Sequence, residues 1–283
     1  MAEKKGRRWI SRRWIFLLYI IVLGIPFINP IGIPLVVHDN TKALYNKVEA
    51  LKPGDVVLWA WSIGLSGWSE LGSAQVAFTA HVLSKPGVKL VMVGDGEGVL
   101  LYERLIDEIR AKISSNVFGK VYGADYINLL VVGGETGQAA FMTDIRGTIQ
   151  YDFYGKKLDS YPIMTVVNKG KDFAFAVTAK TVDIAMDIRT IVILGECPLA
   201  AIMMAGQYPF TISYYKAGSI FAALFGVGGG AEYELLTGFK GAGVTYMDAM
   251  SSGPLVVIIL VAIANIELLL GEFGKKSGVE KHG

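Results

Sequence analysis

Residues 88–98 read VKLVMVGDGEG, an apolar run followed by glycines and acids. VKLVMV has no polar face, which is typical of a strand buried on both sides. The glycines and acids after it indicate a turn. An amphipathic helix is predicted to follow over residues 98–113. A buried strand that leads into a helix is the building unit of a parallel sheet covered on both faces.

The same alternation continues on both sides of this stretch. Upstream, DVVLWAWS (55–62) predicts a buried strand between helices at 41–51 and 69–84. Downstream, further strands are predicted at 127–134, 173–179, 190–196 and 209–215, with helices through 138–145 and 181–188. The sequence therefore predicts an α/β fold with a doubly wound, mostly parallel, Rossmann-like sheet.

Three predicted strands end in glycine followed by an acid, in residues 91–98, 131–137 and 192–198. Ligands bind such sheets beyond the carboxyl ends of the strands. One hypothesis is a shared ligand site built from Asp95, Glu97, Glu135, Thr136 and Glu196. The alternative, which the sequence favours, is ordinary turns whose acids complement helix dipoles. A dinucleotide loop is a poor match, because the G-x-G-x-x-G spacing is incomplete and the acids would repel phosphate.

The sequence lacks familiar catalytic signatures. It contains no G-x-S-x-G elbow, no phosphate-binding P-loop and no H-E-x-x-H. The histidines (His38, His81 and His282) are not spaced as a metal pair, and the single Cys197 is interpreted as a core residue. We therefore predict no metal and no cofactor and lean away from an enzyme, although a serine–lysine hydrolase stays open. The net charge of +2, with no basic aromatic patch, argues against nucleic acid as a partner.

Apolar segments lie near both ends of the chain. Residues 14–37 and 253–273 are predicted transmembrane helices, since about 20 apolar residues span a bilayer. Pro26, Pro30 and Pro34 should end the first helix near Ile25 or Asn29 and leave an extended exit. A cleaved signal peptide is the alternative, but the stretch is long and no A-x-A-like site follows it.

The flanking charges predict the topology. The tails at 1–13 and 274–283 are basic, so both are predicted to be cytoplasmic. The protein would then be a two-pass cell-membrane protein with the lipid bilayer as a partner. The segment between the spans would be extracytoplasmic, with an α/β domain over 38–215 and a glycine-rich juxtamembrane segment over 216–252.

The glycine-rich segment and the second span are the predicted contact surface for other subunits. Small residues let backbones approach closely, and polar residues within a span can bond to another helix. The predicted contact residues are Gly228, Gly229, Gly230, Glu232, Asn265 and Glu267. The alternatives are that Glu232, Glu234 and Asp248 are solvated and that Glu267 reaches the headgroups.

Five segments, at 29–34, 44–58, 207–210, 229–234 and 246–249, occur in an order that resembles an uncharacterised family of prokaryotic membrane-anchored α/β proteins. The resemblance implies transmembrane helices around a Rossmann-like domain and no known activity. The expected function is that of a non-catalytic structural or assembly subunit of a homo- or hetero-oligomeric membrane complex. The alternatives are a small-molecule or cation-binding sensory module and a membrane-anchored hydrolase.

Overall fold

The computed structural model describes residues 12–61, 64–239 and 241–279, without the side chains of Arg12, Glu267 and residues 269–279. The chain divides into two compact units. The α/β unit runs from Leu35 to Val244, and the helical unit consists of the segments up to Pro34 and from Thr245 onward. Of the predicted tails, residues 1–11 and 280–283 lie outside the described residues, whereas the backbone of 274–279 continues the last helix.

The α/β unit is built on a six-stranded sheet in the order β3-β2-β1-β4-β5-β6. Every neighbouring pair of strands is parallel. This is the doubly wound, Rossmann-like order, in which the winding direction reverses between β1 and β4. The strands are β1 (Val56–Ala60), β2 (Lys89–Gly94), β3 (Tyr126–Leu130), β4 (Phe175–Lys180), β5 (Leu199–Met203) and β6 (Ala222–Phe225).

Helices cover both faces of the sheet. Along β1, Val57 and Trp59 pack into one hydrophobic cluster and Val56, Leu58 and Ala60 into the other, as the alternation of side chains in a strand requires. The first cluster includes residues of α2 (Asp39–Glu49), α3 (Trp68–Ser84), α4 (Gly96–Lys112) and α9 (Gly226–Thr237). The second includes residues of α5 (Gly134–Thr143), α6 (Ile145–Thr148) and a π-helix (Ile188–Leu194). Among the described residues, the other α-helices of this unit are α7 (Ala185–Asp187) and α8 (Tyr208–Lys216), and short 3₁₀ helices occur in several loops.

Two strand predictions were wrong. TIVILGE (190–196) lies in the π-helix, where the Thr190 hydroxyl donates to the Met186 carbonyl and Ile193 is exposed. PFTISYY (209–215) lies in α8, with Pro209 in the first turn, where a missing N–H costs nothing. The strands that occupy these places in the sheet, LAAIM and AALF, are rich in alanine and gave a weak β signal.

Residues 216–244 of the predicted glycine-rich segment belong to the α/β unit, whereas residues 245–252 belong to the helical unit. The segment supplies β6 and α9, so the α/β unit extends beyond the predicted boundary at residue 215. The glycines do not prevent a helix here, because α9 is packed closely and not exposed to water. Tertiary packing overrides the low intrinsic helix propensity of glycine.

In the helical unit, α1 (Arg12–Ile28) and α10 (Gly243–Val279, whose first two residues belong to the α/β unit) hold the apolar segments. The predicted end of the first helix near Asn29 is confirmed. With 17 residues, α1 is shorter than a typical span, so the described residues contain one helix of spanning length rather than two. That stretch is Gly243–Ile266, and only 22% of its most apolar window is buried. A helix inside a soluble core would be mostly buried.

The two helices of this unit pack against each other. The rings of Phe27 and Tyr246 meet edge to face with centroids 5.8 Å apart. A Cβ at Gly253 would lie 2.9 Å from the Tyr19 hydroxyl, so this glycine permits the close approach. Asp248, which is buried, accepts hydrogen bonds from the N–H groups of Gly32 and Ile33 at 2.8 and 2.9 Å. The extended segment after α1 is therefore held by a carboxylate of α10.

Candidate functional site

The carboxyl edge of the sheet is a candidate ligand site, because doubly wound sheets bind ligands there. The structure places Asp95 and Glu97 after β2, and Glu135 and Thr136 after β3. Since β2 and β3 are neighbours in a parallel sheet, these four residues share this edge. The edge therefore brings together four of the five residues predicted from the sequence.

Glu97 uses its carboxylate within the chain. The Leu65 N–H donates to Glu97 Oε2 at 3.1 Å, and a Cβ at Gly64 would lie 2.7 Å from that oxygen. This N–H belongs to the loop that links β1 to α3, where dinucleotide-binding proteins place a phosphate. The Leu65 N–H therefore already donates to the Glu97 carboxylate, at the position where a bound anion would accept it.

Glu135 is held by Arg189 of the π-helix. The guanidinium donates from Nε and Nη2 to the two carboxylate oxygens at 2.9 and 3.1 Å, in a bidentate pair. Arg189 lowers the pKa of the Glu135 carboxyl, chiefly through this hydrogen bonding. Both side chains are about half exposed, so the pair contributes little to stability. It joins the first turn of α5 to the π-helix.

A buried polar cluster at the end of β4 was missed by sequence reasoning. Asp187 is 1% exposed, with Lys180 Nζ 3.5 Å from its Oδ1 and the Thr178 hydroxyl 3.4 Å from its Oδ2. Burial raises the pKa of the Asp187 carboxyl and outweighs the opposing effect of Lys180. No sequence signal marked it, because IAMDI reads as an ordinary amphipathic turn of helix.

Glu196 does not join the other predicted residues. It lies three residues before the start of β5, at the amino edge of the sheet, because 190–196 is not a strand. Its backbone is in the left-handed region, with φ of 51°. It lines a cavity of about 450 Å³ together with Cys197. Burial raises the pKa of the Cys197 thiol to about 12, so this cysteine is a packed residue and not a thiolate nucleophile.

Glu232 of α9 holds the beginning of α2. Its Oε2 accepts the His38 N–H at 3.1 Å and the Thr41 hydroxyl at 2.7 Å, and its Oε1 lies 2.6 Å from His38 Nδ1. His38 is the N-cap of α2 and makes no side-chain cap of its own. The carboxylate therefore supplies, from a distant part of the sequence, the negative charge that a helix N-terminus favours.

Glu234, two residues further along α9 and so on roughly the opposite side of this helix, holds the beginning of α10. Its two oxygens accept the N–H groups of Gly243 and Val244, each at 3.0 Å. These N–H groups belong to the first turn of a helix and have no partner within it. Burial raises the pKa of the Glu234 carboxyl to about 6, against the lowering effect of the two N–H donors.

Tyr233 stands between these two acids and reaches a different partner. Its hydroxyl lies 2.9 Å from His81 Nδ1, and His81 Nε2 lies 2.7 Å from Glu49 Oε1. Tyr45 stacks on the His81 ring with centroids 5.0 Å apart. Burial lowers the pKa of the His81 imidazole, with Glu49 acting in the opposite direction. This network ties α9 to α2 and α3 through one buried imidazole.

The predicted contact glycines are partly used inside the chain. Gly229 and Gly230 are buried, and a Cβ at these positions would lie 3.1 Å from Leu224 and 3.0 Å from the Ala74 nitrogen. Gly228 is half-buried. The interpretation that the acids Glu232, Glu234 and Asp248 are solvated was wrong, because all three are less than 9% exposed. Asn265 is exposed on α10, and the side chain of Glu267 lies outside the described residues.

No protein-family model, curated protein or solved structure matches this chain. The family resemblance drawn from the sequence therefore stays a prediction. The residues that the structure singles out are Glu232, Tyr233 and Glu234, which we call the EYE triplet. Each side chain of the EYE triplet bonds to a different part of the α/β unit.

Proposed function

We propose that this protein is a non-catalytic membrane subunit whose α/β unit serves in the assembly of an oligomeric complex. The observation that carries the proposal is the use of the EYE triplet. Glu232 bonds to the segment where the chain enters the α/β unit, and Glu234 bonds to the segment where it leaves. These hydrogen bonds hold both ends of the α/β unit, next to the apolar helices, and such a rigid arrangement favours a structural role.

The membrane role rests on the helical unit. Gly243–Ile266 has the length and apolarity of a span, and its apolar part, from Pro254 onward, continues to Leu270. At about 1.5 Å per residue, α1 reaches about 25 Å. A bilayer adapts to a short span at modest cost, so we propose two passes. The basic tails favour cytoplasmic termini, which would leave the α/β unit outside the cytoplasm.

A small-molecule or cation-binding sensory module is the second candidate. It is favoured by the buried Asp187, whose pKa is raised and which lies beside the partly buried Lys180 at the carboxyl edge, since perturbed titratable groups cluster at functional sites. Against it, Glu97 and Glu135 are already paired with Leu65 and Arg189. A membrane-anchored hydrolase is the third candidate, and the bonds of His81 to Tyr233 and Glu49 do not bear on a serine–lysine pair, which needs no imidazole.

One experiment separates assembly from ligand binding. The full chain in native-lipid particles is screened by thermal unfolding against nucleotides, divalent cations and small carboxylates, while the same membranes are treated with an amine cross-linker. Assembly predicts cross-linked oligomers and no ligand shift. A ligand that raises the unfolding temperature of the wild type but not of Asp187→Asn, with the chain remaining monomeric, would establish the sensory module instead.

Topology is tested separately with a cysteine reporter. Asp107 lies on α4 with its side chain 71% exposed, so Asp107→Cys in a Cys197→Ala background offers one accessible thiol. We expect a membrane-impermeant maleimide to label it in intact cells whose outer layers admit the reagent. Labelling only after the cell membrane is permeabilised would place the α/β unit in the cytoplasm.

A further inference from the structure

The face of α10 that α1 does not cover carries a polar residue. Within the helical unit, the buried residues of α10 include Ala249, Ser252, Gly253 and Val256, at the spacing of one helix face. Tyr19 and Leu23 of α1 lie against Gly253 on this face. Asn265 follows Val256 by nine residues, roughly two and a half turns, and so points away from it. It is exposed, and no hydrogen-bond partner for its amide occurs among the described residues.

Asn265 is well inside the apolar run. The run from Pro254 to Leu270 contains only Asn265 and Glu267 as polar residues. Asn265 lies three residues from its midpoint, Ala262, which is about 4.5 Å along the helix axis. At such a depth lipid offers no hydrogen-bond partner, and an unpaired amide is costly.

The neighbours of Asn265 form a defined stripe. Ile258, Val261, Asn265 and Leu268 are separated by three, four and three residues, and all four are exposed. This is the a/d spacing at which two helices pack knobs into holes. A single asparagine at an a position fixes the register of such a pair. We call these four residues the Asn265 stripe.

We propose that the Asn265 stripe binds the same stripe of a second copy of this chain. The inference rests on the assembly function proposed for the protein and names its partner. All copies insert with the same orientation, so two α10 helices meet in parallel and bring Asn265 opposite Asn265 at equal depth. A carboxamide is both donor and acceptor, so two of them satisfy each other. A partner of different sequence would have to supply a matching polar group at that depth.

The test uses the full chain in liposomes over a range of protein-to-lipid ratios, with dimerisation followed by energy transfer between labelled copies. We expect Asn265→Leu to weaken dimerisation about tenfold, the value of one hydrogen bond between membrane helices. Ile259→Leu is the matched control, because Ile259 is exposed on the same helix but off the stripe. It should leave dimerisation unchanged.

Cysteine cross-linking in a Cys197→Ala background shows which face of α10 lies at the dimer contact. Val261→Cys and Leu268→Cys should form disulfide-linked dimers on oxidation, whereas Ile259→Cys and Ile266→Cys, also exposed, should not. Unchanged dimer affinity in Asn265→Leu, or cross-linking through Ile259→Cys and Ile266→Cys, would contradict the Asn265 stripe as the contact. The proposed assembly function would then still hold. A wild type that stays monomeric at every ratio, without another bound chain, overturns both.

Discussion

The Thr41 hydroxyl donates a 2.7 Å hydrogen bond to Glu232 Oε2, joining residues that lie 191 positions apart in the sequence. Thr41 is in the first turn of α2, and Glu232 is on α9. The same carboxylate accepts the His38 N–H. Because both residues are buried or partly buried, this contact is insulated from competition by water. It closes the α/β unit at the point where the chain enters it.

Removing that carboxylate should loosen the start of α2. We expect Glu232→Ala to lower the free energy of unfolding by about 3 kcal/mol, because the Thr41 hydroxyl and the His38 N–H lose their acceptor. Hydrogen exchange measured by mass spectrometry should accelerate in peptides that cover residues 35–41. Peptides from α4 serve as the internal reference. Unchanged exchange at 35–41 would show that Glu232 does not hold this segment.

Glu234 should make stability depend on pH. Its pKa is raised from the ordinary 4.5 to about 6 in the folded protein, so the folded state binds the proton more tightly than the unfolded state. This contribution is fully present below pH 4.5 and is lost as the pH rises through 6. The loss amounts to about 2 kcal/mol at 1.36 kcal/mol per pKa unit.

The glutamine side chain of Glu234→Gln does not titrate, so this variant should not lose unfolding free energy through position 234 as the pH rises. We expect the difference in unfolding free energy between wild type and Glu234→Gln to change by about 2 kcal/mol between pH 4.5 and 7.5, with the wild type relatively weaker at the higher pH. Asp107→Asn, at an exposed carboxylate, is the control. A pH profile that runs parallel for wild type and Glu234→Gln would contradict the assignment.

The hydroxyl of Tyr233 should contribute measurably to the stability of the folded protein. Tyr233→Phe keeps the buried ring but leaves His81 Nδ1 without its partner. An unsatisfied buried polar group costs about 1–3 kcal/mol, and we expect a loss of stability in that range by denaturant unfolding. Tyr208→Phe, at a half-exposed tyrosine of α8, should cost much less. Equal effects of the two changes would mean that the imidazole network is not a structural tie.

The close packing of α9 against α3 at Gly230 should make any added side chain there destabilising. A Cβ there would overlap the Ser73 hydroxyl and lie 3.0 Å from the Ala74 nitrogen. We expect Gly230→Ala to lower the free energy of unfolding by about 1–3 kcal/mol through overpacking. Gly206→Ala is a matched control, because a Cβ at that position meets nothing within 4 Å. Thermal unfolding of both variants checks the difference.

Part of the fold was predictable from the sequence. The runs DVVLWA, VKLVMV and FAFAVTA carry branched and aromatic residues with no polar face, and each supplies a strand of the parallel sheet. TIVILGE has the same character, yet residues 190–194 lie in the π-helix, where the Thr190 hydroxyl is bonded to Met186 and Gln138. Short apolar runs do not distinguish strand from helix by periodicity alone.

The candidate site was only partly predictable. Strand-end acids such as Glu97 and Glu135 could be placed at one edge from topology, but not their partners, which come from other parts of the chain. The role of Glu232 could not be read from its surroundings, because His38 and Thr41 are distant in sequence. The glycines around Glu232 suggest an exposed carboxylate in the sequence, and only the packing of α9 shows that it is buried.

The most direct test of the assembly function is native mass spectrometry of the full chain released from lipid nanodiscs, without prior cross-linking. We predict a discrete oligomer of this chain, alone or with a further membrane subunit in fixed stoichiometry. A single species of one chain, about 30.6 kDa with no bound polypeptide, would contradict it.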